Sequence, residues 1–331
     1  MALLVTGGAG YIGSHVTRQL VESGERVIVL DNLCLGHRDA IIPGVELIET
    51  DLNDAATVEW LAKDRGIEAV LHFAAFSLVG ESVVEPLKYY RNNVAAPLVL
   101  LDAMRRHGVK KFIFSSTAAT YGNPLRTPMD ESHPQVPINP YGASKLMLER
   151  VLADCCAAWG LRQVTLRYFN AGGCSDDALI GEDHTPETHL IPRMLMAAAG
   201  TAPPLTVFGN DYPTPDGTCI RDYIHVLDLA DAHIRALAFL REGGDSVACN
   251  LGTGKGVSVK EIIGLAATAT GRAVPHSYGP RRPGDPPVLV ADPSRAREVL
   301  GWTAARPDPG SMIASAWRWM NGPRGGRYQR Q

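Results

Sequence analysis

The run Leu3-Leu4-Val5-Thr6-Gly7-Gly8-Ala9-Gly10-Tyr11-Ile12-Gly13-Ser14-His15 decides the fold. Four residues of buried-strand type enter a glycine-rich turn, and a helical pattern follows to near Gly24. The glycines fall as Gly7-x-x-Gly10-x-x-Gly13, a spacing slightly different from the G-x-G-x-x-G fingerprint. The physics is shared: a tight turn, close backbone approach to a pyrophosphate, and a helix N-terminus aimed at the anion. A second apolar run, Val27-Ile28-Val29-Leu30, ends in Asp31. A carboxylate there accepts hydrogen bonds from adenosine ribose hydroxyls and repels a 2′-phosphate, so the cofactor reads as NAD rather than NADP.

Beyond this start, short apolar runs alternate with helical patterns. Strands are expected at 3–6, 27–31, 46–50, 69–73, 111–115 and 163–168, with helices near 13–23, 54–65, 87–107 and 141–158. The alternation predicts an α/β fold, a Rossmann-type doubly wound parallel sheet with ligands beyond the carboxyl ends of its strands. Gly7, Asp31, Asp51, Phe73-Ala74-Ala75 and Ser115-Ser116-Thr117 each follow one of these strands. After Asn170 the texture changes, and Pro186, Pro192, Pro203, Pro204, Pro213 and Pro215 break up regular structure. We expect a cofactor domain over 1–170 and a smaller C-terminal α/β substrate lobe over 171–331, with 222–252 returning to the first domain. The Gly- and Arg-rich tail from Pro323 reads as frayed.

Tyr141-Gly142-Ala143-Ser144-Lys145 carries the chemistry. On a helix, residues four apart share a face. An ammonium beside a phenol stabilises the phenolate and lowers a tyrosine pKa from about 10, making Tyr141 a usable general base.

Composition narrows the alternatives. At 331 residues the chain exceeds the length of most single cores, which fits two lobes around a cleft. A formal net charge of −3 gives no case for nucleic acid. No signal-type start and no apolar run near the roughly 20 residues of a membrane span is seen, so a cytoplasmic protein is expected. Six cysteines without a C-x-x-C pair suit free thiols in a reducing compartment. The ten histidines form no H-x-x-x-H pair with a neighbouring acid, so no metal is expected.

Further runs extend the pattern: His72-Phe73-Ala74-Ala75, Val79-Gly80-Glu81-Ser82, Asn92-Asn93-Val94, Leu166-Arg167-Tyr168-Phe169-Asn170, Phe208-Gly209-Asn210-Asp211-Tyr212, Arg221-Asp222-Tyr223-Ile224-His225-Val226 and Arg281-Arg282-Pro283-Gly284-Asp285. Together with the glycine turn and Tyr141-x-x-x-Lys145, they resemble the extended short-chain dehydrogenase/reductase family, and closely its UDP-glucose 4-epimerase branch, over essentially the whole chain.

That resemblance implies roles for the matching positions. Gly7, Gly10, Tyr11, Ile12 and Gly13 would hold the pyrophosphate of NAD, and Asp31 and Asn32 the adenosine ribose. Asp51 and Leu52 would meet the adenine, with Phe73, Ala74, Ala75 and Asn92 lining the nicotinamide side, and Ser77, Ser115 and Tyr168 also at the cofactor. Thr117, Tyr141 and Lys145 would be the catalytic set, Tyr141 and Lys145 also touching the cofactor. The UDP-sugar would meet Thr117, Asn170, His189, Leu190, Thr206, Phe208, Arg221, Tyr223, Arg282, Asp285 and Leu289. Guanidinium groups suit a diphosphate because they donate bidentately.

Ser77 stands where many relatives carry lysine, which removes one cationic cofactor contact. Leu289 stands where relatives restricted to glucose and galactose carry tyrosine, and a smaller residue accompanies acceptance of N-acetylhexosamines.

The implied activity interconverts UDP-glucose and UDP-galactose through a 4-keto sugar that turns over in the pocket. The competing readings are an epimerase of UDP-glucuronate or UDP-pentoses, a nucleotide-sugar 4,6-dehydratase, and a catalytically silent NAD-binding scaffold. In the dehydratases an Asp-Glu pair follows the catalytic threonine, whereas Ala118-Ala119 follows Thr117 here. The resemblance also implies a homodimer paired through helices near 87–107 and 141–158.

Overall fold

The computed structural model describes residues 1–282 and 284–329. Its first half runs β1 (Ala2–Thr6), α1 (Tyr11–Glu22), β2 (Val27–Asp31), β3 (Glu46–Glu49), α2 (Ala55–Asp64), β4 (Ile67–His72), α3 (Val79–Val84), α4 (Pro86–Tyr90), α5 (Ala96–His107), β5 (Lys111–Thr117), α6 (Pro140–Trp159) and β6 (Arg162–Tyr168). The second half runs β7 (Asn170–Gly172), α7 (Leu190–Ala199), β8 (Leu205–Phe208), β9 (Ile220–His225), α8 (Val226–Arg241), β10 (Val247–Leu251), β11 (Gly256–Ser258), α9 (Val259–Thr270), β12 (His276–Gly279), β13 (Val288–Leu289), α10 (Ser294–Leu300) and α11 (Pro309–Asn321).

Seven strands make one sheet in the order β10-β6-β5-β4-β1-β2-β3, and every neighbouring pair is parallel. Because side chains alternate across a strand, each strand feeds both faces. Leu3, Val5, Val29, Leu71, Ile113 and Val164 pack with Val16 and Leu20 of α1 and with Leu229, Ala236 and Leu240 of α8. Ala2, Leu4, Ile28, Val70, Phe112 and Phe114 pack on the opposite face with Val58, Leu100, Leu148 and Leu152 of α2, α5 and α6. The doubly wound expectation is met. The edge strand beside β6 is β10, and α8 packs against α1.

A separate core lies under the remaining elements, where Met194, Leu195, Val207, Tyr223, Ile262, Met312 and Ile313 come together. The strand pairs β7–β9, β11–β9, β13–β9 and β12–β8 belong to these elements.

Two expectations need correction. The helix expected over 87–107 is interrupted by a π-turn at Arg91–Ala95 between α4 and α5. Such a turn re-aims side chains within an otherwise regular helix. The tail from Pro323 is not frayed through residue 329. Tyr328 is buried against Trp319, its backbone N–H donates to Asp183 (2.9 Å), and its ring stacks on His37 at 4.8 Å. One aromatic anchor outweighs the glycines around it.

Candidate active site

Close packing fixes the glycine turn. Gly7 has φ +74°, and a Cβ there would lie 2.4 Å from the Ala74 backbone nitrogen. A Cβ on Gly13 would lie 2.2 Å from the Gly7 carbonyl oxygen. Gly10 caps α1 with no side-chain hydrogen bond, which leaves the first amides of the helix free for an anion. The Tyr11 hydroxyl donates to the Gly173 carbonyl (2.6 Å) and so ties the turn to the segment after β7.

Asp31 is buried at the end of β2. Its carboxylate accepts from Ala9 N–H (2.9 Å) and Leu33 N–H (2.9 Å), gripping the glycine turn with one oxygen and its own loop with the other. Burial nevertheless raises its pKa, against those two bonds. Asn32 donates to Asp51 at 2.7 Å. The cleft between these strand ends gathers Gly7, Gly10, Asp31, Asn32, Asp51, Leu52, Phe73, Ala74, Ala75 and Asn92, all expected at the cofactor. It adds Cys34, Leu35, Gly36, Thr50 and Phe76, which the sequence reading missed although they directly flank the strand ends it identified.

Further along the sheet, β5 ends in Thr117 and α6 begins at Pro140, capped by the Asn139 side chain accepting from Gly142 N–H (2.8 Å). Gly142 is needed by contact, since a Cβ would lie 2.4 Å from the Ala119 carbonyl oxygen. The first turn of α6 is thereby pressed against the turn that follows Thr117. Tyr141 and Lys145 are both buried on this helix, and the Thr117 hydroxyl stands near enough to the Tyr141 phenol to favour its ionised form. Lys145 donates to the Ser115 carbonyl (2.8 Å) and lies 4.9 Å from the centre of the Phe114 ring. The Ser115 and Tyr168 hydroxyls are 2.6 Å apart.

The electrostatics differ from the sequence expectation. Burial raises the Tyr141 pKa above its ordinary value, opposed by the Thr117 hydroxyl. Burial also lowers Lys145 to about 7, opposed by the Glu149 carboxylate. Desolvation is the larger influence on both groups, and Lys145 keeps one hydrogen bond, to the Ser115 carbonyl.

Two residues without an assigned role support this arrangement. Asn93, in the π-turn, accepts from Phe76 N–H (2.9 Å) and donates to Phe76 C=O (2.9 Å) and to the Ser144 hydroxyl (3.1 Å). It joins the loop after β4 to α6. Glu149 accepts from Ser116 (2.5 Å) and from the Arg167 guanidinium (2.6 Å), locking α6 to β5 and β6 in a buried pair. Asparagine inside a helix and glutamate one turn past Lys145 were the available signals.

The expected substrate residues lie on several elements of the second half and are joined in pairs. Asn170 donates to the Asp222 carbonyl (2.9 Å) and pairs in register with Tyr223. The Arg221 guanidinium pairs with Asp285, and Leu289 lies opposite Arg221 in the β9–β13 register. Arg282 lies 4.0 Å from the centre of the Phe208 ring, two residues along β8 from Thr206. Leu190 opens α7. The preceding His189 points Nδ1 at Glu182 and Glu187, and the exposed Ser77 stands apart on the loop after β4.

Residues 3–252 match the NAD dependent epimerase/dehydratase family. The chain belongs to that family. A UDP-glucose 4-epimerase of Lacticaseibacillus casei is 49% identical over 96% of each chain. The crystal structure of the Brucella ovis UDP-glucose 4-epimerase in complex with NAD superposes with a TM-score of 0.93 at 51% identity, covering 96% of this chain and 97% of that one. The Bifidobacterium longum UDP-glucose 4-epimerase in complex with NAD+ and UDP superposes at 0.92, with 39% identity over 99% and 100% of the two chains. At Gly7 and Gly13 neighbouring backbone atoms leave no room for a Cβ, so the turn in this chain requires glycine at both.

Proposed function

We propose that this protein interconverts UDP-glucose and UDP-galactose with NAD held as a resident cofactor. The observation that carries the reading is the burial of Tyr141 and Lys145 on α6 with the Thr117 hydroxyl near the phenol, in a chain where Ala118 and Ala119 follow Thr117. A 4,6-dehydratase needs an acid and a base to eliminate water, and two alanines supply neither. A silent scaffold would have no use for a buried lysine at the phenol, since burying an ammonium is costly.

Bound NAD supplies the hydride acceptor and donor for the sugar C4 and, in its oxidised form, a positive charge that favours the Tyr141 phenolate. Tyr141 Oη takes the proton of the sugar 4-hydroxyl and returns it after the 4-keto sugar has turned over. Thr117 holds the phenol and orients the transferred proton. Lys145, fixed to Ser115, offers its remaining N–H groups toward the phenol and the cofactor ribose. Arg221 and Arg282, with Asn170 and Phe208, grip the UDP end so that the sugar pivots while its diphosphate stays in place.

The proposal extends to the assembly. Leu87, Leu98 and Met147 are exposed, at 63%, 44% and 44%, on α4, α5 and α6. Large apolar groups on adjacent helices mark a contact surface, and a second copy of this chain is the partner proposed for it. All six cysteines are free, and no helix of the described residues is long and apolar enough to cross a membrane. We therefore place the enzyme in a reducing cytoplasm.

The test is direct. Purified protein is mixed with UDP-galactose without added NAD, and UDP-glucose is sought by chromatography. Its appearance to equilibrium is the expected result. A product lighter by one water would indicate a dehydratase, and unchanged substrate in protein that still holds NAD would indicate a scaffold.

A further inference from the structure

The loop before α7 reads Glu182-Asp183-His184-Thr185-Pro186-Glu187-Thr188-His189. It has no helical or strand period, and its two histidines are five apart, so sequence spacing gave no metal signature. Folding nevertheless brings Glu182, His184, Glu187 and His189 together, with one nitrogen or oxygen of each lying within 4.8 Å of all the others.

Individual separations are tighter. His189 Nδ1 lies 2.9 Å from Glu182 and 3.0 Å from Glu187, while His184 Nδ1 lies 3.3 Å and 3.5 Å from the same two carboxylates. Four ligands at a zinc bond length of about 2.0–2.1 Å stand about 3.3 Å from one another along the edges of a tetrahedron. The observed distances straddle that edge. A second observation concerns hydrogen bonding: His184 Nδ1 is buried yet makes no hydrogen bond, despite its proximity to both carboxylates. At 3.3 Å and 3.5 Å it stands close to both oxygens and bonds neither. Glu182 and Glu187 are also nearly buried, at 9% and 10% side-chain exposure, so their charges need a counterion.

We propose that Glu182, His184, Glu187 and His189 form a four-coordinate site for a divalent transition cation, zinc in particular. Two imidazoles and two carboxylates are a ligand set that zinc accepts, and their two negative charges match its own. The ion would be structural. It would close an eight-residue loop onto Leu190 at the start of α7. It would also stiffen the wall against which the ring of Tyr11, in the glycine turn, packs edge-on at 6.4 Å from His184. Trp319 donates to the Glu182 carbonyl (2.9 Å), which already anchors one end of the loop.

The experiment uses the full chain, free of any histidine tag, stripped with a chelator and then titrated with zinc chloride or cobalt chloride alone. Elemental analysis after gel filtration should find about one zinc per chain, and zinc should raise the Tm of the stripped protein. Cobalt should give the visible bands of a tetrahedral nitrogen and oxygen site without thiolate charge-transfer absorption. His184→Ala and Glu187→Gln should each weaken zinc binding at least about tenfold. The proposal fails if wild type retains no zinc and its Tm ignores the metal, in which case the cluster is an ion-pair network of protonated histidines. It fails equally if folded variants bind as wild type does. Thiolate bands in the cobalt spectrum, a readout independent of variant folding, would place the metal on cysteine and also overturn it.

Discussion

Lys145 Nζ lies 2.8 Å from the Ser115 carbonyl oxygen, which binds the catalytic helix to the end of the strand that presents Thr117. Position and charge are thus separate contributions of one side chain. With burial holding Lys145 to about 7 and Tyr141 above its ordinary value, the phenol depends on every nearby positive charge.

Tyr141→Phe removes only the titrating oxygen, so fold and NAD retention should persist while turnover falls by at least about 100-fold. Assaying kcat alongside the NAD content of the purified variant checks this, and near wild-type kcat would exclude Tyr141 as the base. Lys145→Met should also impair turnover and shift any surviving activity profile to higher pH.

In the proposed site Asp31 has two tasks. Its two oxygens hold Ala9 and Leu33 N–H groups, besides the ribose contact proposed for them. Asp31→Ala should weaken NAD retention and narrow the preference over NADP. Asp31→Asn, which keeps an acceptor for one of the two amides, should lose less. Equal retention of NAD by wild type and Asp31→Ala would put the ribose contact elsewhere.

Gly142→Ala opposes two known magnitudes. Alanine in a helix is favoured over glycine by about 1 kcal/mol. The new methyl would, however, lie 2.4 Å from the Ala119 carbonyl oxygen, and such overpacking costs about 1–3 kcal/mol. Overlap should win, lowering both Tm and kcat, because relief requires α6 to move away from Thr117. A rise in Tm with unchanged kcat would show that the contact relaxes without cost.

Four buried histidines set the acid limit of stability. Burial lowers His15, His225 and His233 to about 4 and His72 to about 3, while the same groups unfolded titrate near 6.5. Between those values the unfolded chain binds protons that the folded chain refuses. Their contribution is therefore complete above about pH 6.5 and is lost as pH falls toward 4. Tm should drop steadily across that window, and the imidazole resonances of these residues should not titrate between pH 7 and 5. A flat Tm over the same range would contradict the assignment.

What was legible in the sequence follows the range of the interactions. The strand ends could be read because Gly7, Asp31, Asp51 and Thr117 sit beside apolar runs whose period is local. Tyr141 and Lys145 could be placed because helical spacing is local too. Asn93 could not, since its value lies in reaching Phe76 and Ser144 across a π-turn that no periodicity announces. The buried Tyr328 escaped notice for the same reason, because its partners Trp319, Gly181 and Asp183 come from distant segments. The Tyr141 pKa was misjudged because spacing reports a neighbouring charge but not the loss of solvent around both groups.

Leu289 bears on substrate range. It lies opposite Arg221 in the β9–β13 pair, half-buried and outside the buried hydrophobic clusters of the described residues. A side chain packing the second core would have been found among Met194, Val207 and Ile262, so its placement favours the pocket wall. Leucine leaves more room than tyrosine for a 2-acetamido group, which must clear the wall in both orientations of the turning sugar. Overlap in either orientation would stop the cycle even where binding survives. Wild type should therefore convert UDP-N-acetylglucosamine measurably, though more slowly than UDP-glucose. Leu289→Tyr should abolish that activity while hexose turnover stays within about threefold of wild type. Chromatographic assay of both substrates with both proteins decides the matter, and equal N-acetylhexosamine rates would remove Leu289 from specificity.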